Sequence, residues 1–242
     1  MNIYGQTDTG CVRPNNQDAF RFGELSQGVS FAVVCDGMGG ANGGSVASTL
    51  AAETIAENLR SGYQEDMPET AFEHLLETAV AAANALVYDE SMADMDLRGM
   101  GTTVVTALVK PGIAYMAHVG DSRIYLVTDT LRQLTRDHSI VQDMVEKGQL
   151  TPEEAKHHPR KHLITRAVGV DSRVACDSYV TEFPETARLL LCTDGLTNMV
   201  EPDAILAVLK ETDDPSAVPG KLVELAKEAG GSDNITVVLI TP

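Results

Sequence analysis

The chain has 242 residues, 43% of them hydrophobic and 5% aromatic, which allows one large domain or two small ones with a sizeable core. Its 18 basic and 35 acidic residues give a net charge of −17. This charge argues against a nucleic-acid partner and against binding to an anionic membrane surface. It also means that an anionic substrate requires a local source of positive charge at its binding site.

The four cysteines lack the spacing of a metal site, and two of them lie within apolar runs; they are Cys11, Cys35, Cys176 and Cys192. We therefore expect buried, reduced thiols in a cytoplasmic protein. The first ten residues contain neither a basic cluster nor an apolar stretch, so no secretory signal is expected. Because no apolar run approaches the length of a membrane span, no membrane partner is expected either.

The N-terminal part is predicted to consist of strands followed by two helices. Strands are predicted at 2–10, 18–23 and 29–35. The third strand is apolar throughout, which indicates that both of its faces are covered. Apolar residues at helical spacing then predict helices over about 43–62 and 72–87, each with one face in the core.

The remainder is predicted to be mostly strands, beginning with an antiparallel meander in which 120–122 is a turn. The strands of this meander are predicted at 102–109, 113–119, 123–127 and 131–134. Residues 135–168 are predicted to leave the sheet, with a helix over 139–148 and a second helix that follows the N-cap Thr151. Later elements are predicted as strands at 176–181, 188–193 and 235–240 and helices at 201–210 and 215–229. Two antiparallel sheets packed face to face, with helices outside each, would bury all of these apolar faces, so the expected fold class is α+β.

Four aspartates share one local setting, beside a glycine or a glycine-containing turn at the end of a predicted strand: Asp36, Asp121, Asp194 and Asp233. The ends of strands in a two-sheet core can bring such positions together, and converging carboxylates repel one another unless cations lie between them. Gly37 lacks a Cβ, so the backbone there can direct a carbonyl oxygen beside the preceding carboxylate. Oxygen ligands of this kind suit Mg²⁺ or Mn²⁺. The alternative is that the Asp-Gly and Gly-Asp pairs simply form turns.

Arg13 lies in a turn rich in proline and asparagine. An arginine in such a turn is commonly just solvated. Alternatively, its guanidinium provides the bidentate contact to a phosphoryl group that a net-acidic protein needs.

Six motifs in chain order resemble those of the metal-dependent serine/threonine protein phosphatases of the protein phosphatase 2C (PP2C, PPM) type, the bacterial branch most closely. The motifs are Arg13-x-x-Asn16-Gln17-Asp18, Asp36-Gly37-Met38-Gly39-Gly40, Gly101-Thr102-Thr103, Val119-Gly120-Asp121-Ser122-Arg123, Cys192-Thr193-Asp194-Gly195-Leu196 and Ser232-Asp233-Asn234-Ile235-Thr236. The resemblance runs nearly end to end. It implies a single domain over 1–242, a β-sandwich of two antiparallel sheets flanked by helix pairs. The excursion at about 135–168 matches the family's flap beside the active site.

The resemblance also implies which residues bind metal. Asp36 bridges two Mg²⁺ or Mn²⁺ ions, and the carbonyl of Gly37 is a further ligand of one of them. Asp194 and Asp233 bind the other ion. Asp121, together with Asp194, resembles the pair that holds a third, weaker ion in bacterial members of the family.

Two further roles follow from the resemblance: Asp18 holds a metal-bound water, and Arg13 binds the substrate phosphate. The implied reaction is hydrolysis of phosphoserine and phosphothreonine by a water that the metal pair activates. The implied partners are phosphoprotein substrates, including a cognate serine/threonine kinase that the enzyme opposes. We expect a cytoplasmic monomer.

The sequence departs from the family at two positions. Met38 stands where animal relatives have a histidine proposed to protonate the leaving group, so metal-bound water or a flap histidine is expected to supply that proton. The flap histidines are His157, His158 and His162. Gln17 stands where many relatives have a glutamate, which weakens the expected metal affinity. The alternative function is a catalytically weak regulatory or binding module of the same fold.

Overall fold

The structure is a computed structural model that describes residues 1–40 and 42–242. Its strands are β1 (Asn2–Asp8), β2 (Asp18–Ser26), β3 (Val29–Met38), β4 (Gly101–Thr102), β5 (Val104–Lys110), β6 (Gly112–Val119), β7 (Arg123–Val127), β8 (Leu131–Gln133), β9 (Asp177–Phe183), β10 (Arg188–Cys192) and β11 (Ile235–Thr241). Its α-helices are α1 (Gly43–Gly62), α2 (Thr70–Ala93), α3 (Ile140–Glu146), α4 (Pro152–His157), α5 (Asp194–Thr197), α6 (Pro202–Glu211) and α7 (Val218–Glu228).

The strands form two antiparallel sheets. The first sheet has the order β1-β11-β10-β7-β8, and the second has the order β2-β3-β5-β6-β9, with β4 paired to the end of β3. Helices α1 and α2 cover the outer face of the second sheet, and α6 and α7 cover the outer face of the first. The α+β sandwich expected from the sequence is confirmed.

The packing on the two faces of β3 explains why its sequence is apolar throughout. Ala32 and Val34 pack into the core between the two sheets. Phe31, Val33 and Cys35, which alternate with them, pack against α1 and α2. Since successive side chains of a strand point to opposite faces, both faces of this strand are buried, as predicted.

The predicted meander is wrong at residues 120–122. Strand β6 pairs with β5 and β9 in the second sheet, whereas β7 pairs with β10 and β8 in the first. The segment between them therefore crosses from one sheet to the other instead of forming a hairpin. Both β6 and β7 are buried on both faces, so their apolar pattern does not indicate which sheet each one joins. The predicted strand at 102–109 is also divided, into β4 and β5, at Thr103.

Residues 135–168 lie outside the named strands and carry α3 and α4. The hydroxyl of Ser139 accepts a hydrogen bond from the backbone N–H of Gln142 at 3.2 Å. Thr151 and Glu154 form a complete capping box at the start of α4. A bridge between Ser139 and Ile164 joins the two ends of this segment.

All four cysteines are free thiols. Burial was predicted for them and is found for Cys35 and Cys192, whereas Cys11 is exposed and Cys176 is partly buried. Within the described residues, no helix combines the length and the apolar character needed to cross a bilayer.

Leu189 tests the packing between the sheets, where its side chain is fully buried. We expect Leu189→Ala to lower the free energy of unfolding by about 2–5 kcal/mol, because it removes buried methyl groups and leaves a cavity. Urea denaturation measures this loss. The matched change Leu86→Ala, at a leucine that is 38% exposed, is expected to cost under about 1 kcal/mol. Equal losses in the two variants would contradict this packing.

Candidate metal centre

Asp36 lies within β3 and is held there through its backbone. The strand was expected to end before Asp36, but it continues to Met38 and pairs there with β4. The backbone N–H of Asp36 donates to Oγ1 of Thr103 at 3.0 Å. Its carbonyl oxygen accepts from the N–H of Thr103 and from Oγ1 of Thr102, both at 2.8 Å. The Thr102–Thr103 pair therefore fixes the position of this carboxylate.

Asp18 is the cross-strand neighbour of Asp36 and links the two sheets. It lies opposite Asp36 in the ladder between β2 and β3. Its Oδ2 accepts hydrogen bonds from the hydroxyls of Thr193, at 3.0 Å, and Thr236, at 2.7 Å. These two residues lie at strand ends of the first sheet, directly after β10 and at the start of β11. Because Thr193 directly precedes Asp194, these contacts bring the acids of both sheets to one place.

Asp194 and Asp233 approach each other through a close backbone contact. A Cβ on Gly195 would lie 1.9 Å from the carbonyl oxygen of Asn234, so only glycine fits after Asp194. Oδ2 of Asp194 accepts from Nδ2 of Asn198 at 2.8 Å.

Gly37, like Gly195, lies at a position where the neighbouring backbone leaves no room for a side chain. A Cβ there would lie 2.0 Å from the carbonyl oxygen of Gly44 and 2.5 Å from that of Gln17. Its N–H donates to the same Gln17 oxygen at 3.1 Å. The residue predicted to offer a backbone oxygen thus lies in β3 directly after Asp36, where the backbone is closely packed.

Arg13 lies at the edge of this group of acids. Its Nη2 donates to Oδ2 of Asp233 at 2.8 Å, and about half of its side chain is exposed. The hydrogen bond and the charge of Asp233, followed by the charges of Asp36 and Asp194, raise the pKa of the Arg13 guanidinium. The turn predicted to carry a phosphate-binding arginine therefore reaches the carboxylates.

The aspartate cluster, defined as Asp18, Asp36, Asp121, Asp194 and Asp233, is half-buried and strongly self-repelling. Removal from water raises the pKa of Asp36 well above its ordinary value, and the charges of the other four raise it further. Burial also raises the pKa of Asp18 to about 7, although its two threonine hydrogen bonds oppose the shift. The mutual effects place all five predicted acids in one neighbourhood.

Asp121 and Asp194 show the same behaviour. Burial raises the pKa of Asp121, and the charge of Asp194 adds to the effect. Burial and the charge of Asp233 raise the pKa of Asp194, while the charge of His162 lowers it. Of the three flap histidines, His162 is the one whose charge acts on the Asp194 carboxyl. His157 lies 3.6 Å from Glu153 instead.

The cluster has the chemistry of a site for a hard divalent cation. Oδ1 of Asp18 and Oδ1 of Asp194 are buried without a hydrogen-bond partner, an arrangement that costs free energy unless a cation lies beside them. In the described part of the chain, no three Asp, Glu, His or Cys side chains are already grouped around one point as ligands. Asp233 is turned towards Arg13. The all-oxygen donor set fits Mg²⁺ or Mn²⁺.

A cleft of about 630 Å³ leads to the cluster between the flap and helices α5 and α6. Asp121 and Asp194 line its inner part, and Lys156 and Lys161 line the flap side. A phosphorylated side chain thus has a route to the acids that passes basic residues of the flap.

The sequence analysis assigned no role to the residues that hold the acids in place. These are Thr102, Thr103, Thr193, Thr236 and Asn234. Each lies in one of the six motifs, and four of the five directly follow or precede an acid or another of these threonines. A hydroxyl or amide side chain beside a strand-end aspartate is the signal that would have identified two of them, Thr193 and Asn234.

The sequence model of the family described as protein phosphatase 2C matches residues 13–225. The chain belongs to the protein phosphatase 2C family. It is 37% identical over 241 residues to the serine/threonine phosphatase Stp of Listeria welshimeri, covering 99% of this chain and 95% of that protein.

Solved structures of this family have the same fold. The serine/threonine phosphatase Stp1 from Staphylococcus aureus aligns with a TM-score of 0.93 at 33% identity, over 99% of this chain and 94% of that one. The catalytic domain of the phosphatase PstP, in complex with two manganese ions, aligns with a TM-score of 0.85 at 34% identity, over 98% and 96%. The family and the enzyme class expected from the sequence, a protein serine/threonine phosphatase, are confirmed.

The raised pKa of Asp18 predicts a pH effect on the metal-free phosphatase. A carboxyl whose pKa is raised by folding, here from 3.8 to about 7, stabilises the fold at low pH and loses that contribution as pH rises through 7. With a chelator present, Asp18→Asn should therefore gain stability over the wild type between pH 6 and pH 8, on the order of 1 kcal/mol. Urea denaturation at both pH values measures the gain. A stability difference that is the same at pH 6 and pH 8 would show that Asp18 keeps its ordinary pKa.

Proposed function

We propose that this phosphatase hydrolyses phosphoserine and phosphothreonine in proteins at the aspartate cluster. The observation that carries the proposal is the pair of buried, unpartnered carboxylate oxygens on Asp18 and Asp194, where strand ends of the two sheets meet. Two divalent ions bound there supply a hydroxide nucleophile near neutral pH and offset the charge of the phosphoryl oxygens. The two manganese ions named for PstP support a pair of ions, Mg²⁺ or Mn²⁺.

The positions of the acids support the following assignment of metal ligands. Asp36, whose pKa responds to the four other acids, would hold both ions, with the carbonyl of Gly37 as a further ligand of one. Asp194 and Asp233, joined by the close contact at Gly195, would hold the second ion. Asp121, which lines the cleft with Asp194, would hold a third, weaker ion with it.

Arg13 would bind the phosphate of the substrate. Its planar guanidinium has five N–H donors, and the contact to Asp233 uses one nitrogen. The half-exposed side chain can therefore direct other donors towards equatorial phosphoryl oxygens. In a chain of net charge −17, this arginine also supplies the local positive charge that an anionic substrate requires.

Asp18 would orient the attacking water. Two threonine hydroxyls fix one of its oxygens, so the other is held in place as an acceptor for a water proton. A flap histidine would donate a proton to the leaving serine or threonine oxygen, and the candidates are His162, whose charge acts on Asp194, and His157, which lines the cleft with Asp121 and Asp194. Met38 carries no proton that it can donate.

We further propose that residues 1–242 act as one phosphatase domain with a flap at about 135–168. The enzyme would act in the cytoplasm as a monomer, on phosphoproteins made by an opposing serine/threonine kinase. The alternative, a catalytically weak regulatory or binding module, is disfavoured because such a module typically lacks one of the metal-binding acids. All five acids are present here and share one site.

The metal ligands are tested by Asp36→Asn and Asp194→Asn. Each change removes a carboxylate charge that would hold an ion, so we expect turnover of a phosphothreonine peptide with Mn²⁺ to fall by on the order of 10³-fold. Phosphate release measures turnover, and Asp129→Asn, at an exposed aspartate far along the chain, serves as the matched control. Near-normal activity in both cluster variants would remove the metal assignment.

Arg13→Ala tests phosphate binding. Because the change removes a charged hydrogen-bond donor from the substrate phosphate, we expect KM to rise about tenfold or more, with a smaller change in kcat. Steady-state kinetics on a phosphopeptide at saturating Mn²⁺ separates the two constants. Arg13→Lys should recover part of the loss, and an unchanged KM in the alanine variant would refute the role.

A further inference from the structure

His138 lies at the beginning of the flap, and its side chain is fully buried. Its Nδ1 accepts a hydrogen bond from the backbone N–H of Gly120 at 3.1 Å. A neutral imidazole whose Nδ1 accepts carries its proton on Nε2. That nitrogen lies 3.1 Å from Oδ2 of Asp177 and donates to it. Both ring nitrogens are therefore engaged, and the tautomer is set by the backbone of the segment that carries Asp121.

Two neighbours keep this ring neutral and in one orientation. Arg166 donates to Oδ1 of Asp177 at 2.6 Å, so the carboxylate accepts from Arg166 and from His138 through different oxygens. A nitrogen of Arg166 also lies 3.2 Å from Nε2 of His138, which opposes a positive charge on the ring. On one face, the ring of His118 packs at a centroid distance of 4.4 Å. Burial, first of all, lowers the pKa of His138.

The backbone of His138 joins the same segments. Its N–H donates to the carbonyl oxygen of Gly120 at 2.7 Å, so His138 and Gly120 form a reciprocal pair of hydrogen bonds. Its carbonyl oxygen accepts from the N–H of Thr165 at 2.8 Å, in the segment by which the flap returns. One residue thus connects both ends of the flap with the Asp121 turn, which is the bend at 120–122 where the chain crosses from β6 to β7.

The other side of the Asp121 turn is fixed against Asp36. Gly120 has a φ of +108°, and a Cβ there would lie 2.6 Å from Cγ2 of Thr103. The hydroxyl of Thr103, which accepts the Asp36 N–H, also forms a 2.7 Å hydrogen bond with Ser122. The turn is therefore held between Thr103 and His138, and a displacement of His138 with the flap has to be absorbed by the turn.

We propose that His138 is a positioning residue that sets the location of the Asp121 carboxylate and couples it to the position of the flap. The inference rests on the proposed function in one respect, the role of Asp121 in turnover. A movement of the flap on substrate binding would then change the position of the Asp121 carboxylate through the His138–Gly120 hydrogen bonds. Loss of a residue that orients a ligand in this way commonly costs about 10-fold to 100-fold in activity or metal affinity.

The first test uses nuclear magnetic resonance on the metal-free protein, which does not depend on activity. We expect the ring spectrum of the wild type to show a protonated Nε2 and an unprotonated, accepting Nδ1 for His138. In His138→Ala, the Gly120 amide should exchange with solvent faster, on the order of tenfold, because its acceptor is lost. His138→Asn should restore much of the protection, since its Oδ1 can replace Nδ1. The exposed His74→Ala is the matched control and should change neither signal. A proton on Nδ1, or unchanged Gly120 exchange in His138→Ala, would overturn the proposal.

The second test is a double-mutant cycle on kcat with Asp121→Ala. If His138 acts through Asp121, His138→Ala lowers kcat about 10-fold or more in the wild-type background and has little further effect when Asp121 is already alanine. Losses that multiply would overturn the coupling. An Asp121→Ala variant with wild-type kcat would instead refute the role given to Asp121 under the proposed function, while the resonance data would still report on the hydrogen bonds of His138.

Discussion

The structure depends on one unfavourable interaction, the mutual repulsion of five carboxylates that lie where strand ends of the two sheets meet. Burial raises the pKa values of Asp18, Asp36, Asp121 and Asp194, and the charges of neighbouring acids raise them further. Neutral hydroxyl donors and the charges of Arg13 and Arg123 offset only part of this cost. Under the proposed function, divalent cations bound among these acids would offset the repulsion.

The rest of the architecture serves to hold that arrangement. The second sheet contributes Asp18 and Asp36 from its strands, Asp194 and Asp233 lie just beyond strand ends of the first sheet, and the core between the sheets fixes the distance between the two groups. Asp18 illustrates the coupling, since it belongs to one sheet and takes its hydrogen bonds from the other. The glycines beside Asp36 and Asp194 allow backbone contacts that a side chain would prevent. Precision at the site therefore comes from backbone packing as much as from the acids themselves.

Much of this could be predicted from the sequence. Continuous apolar runs indicated doubly covered strands, and the capping box at Thr151 gave the start of a short helix correctly. The path of the chain at 120–122 could not be predicted, because two strands that are apolar on both faces fit either sheet equally well. The same ambiguity hid the reason why Asp121 joins the other acids. The hydrogen-bond roles of Thr103 and His138 also depend on contacts between segments distant in the chain.

The claim on which this account depends is that Asp36, Asp194 and Asp233 hold a pair of divalent ions. Crystals of the phosphatase grown with MnCl₂ test it most directly, through anomalous scattering of the metal. We predict two anomalous peaks about 4 Å apart, bridged by Asp36 and each within about 2.5 Å of carboxylate or carbonyl oxygens of the cluster. Peaks only at other positions, or a cluster free of metal at millimolar Mn²⁺, would contradict the account.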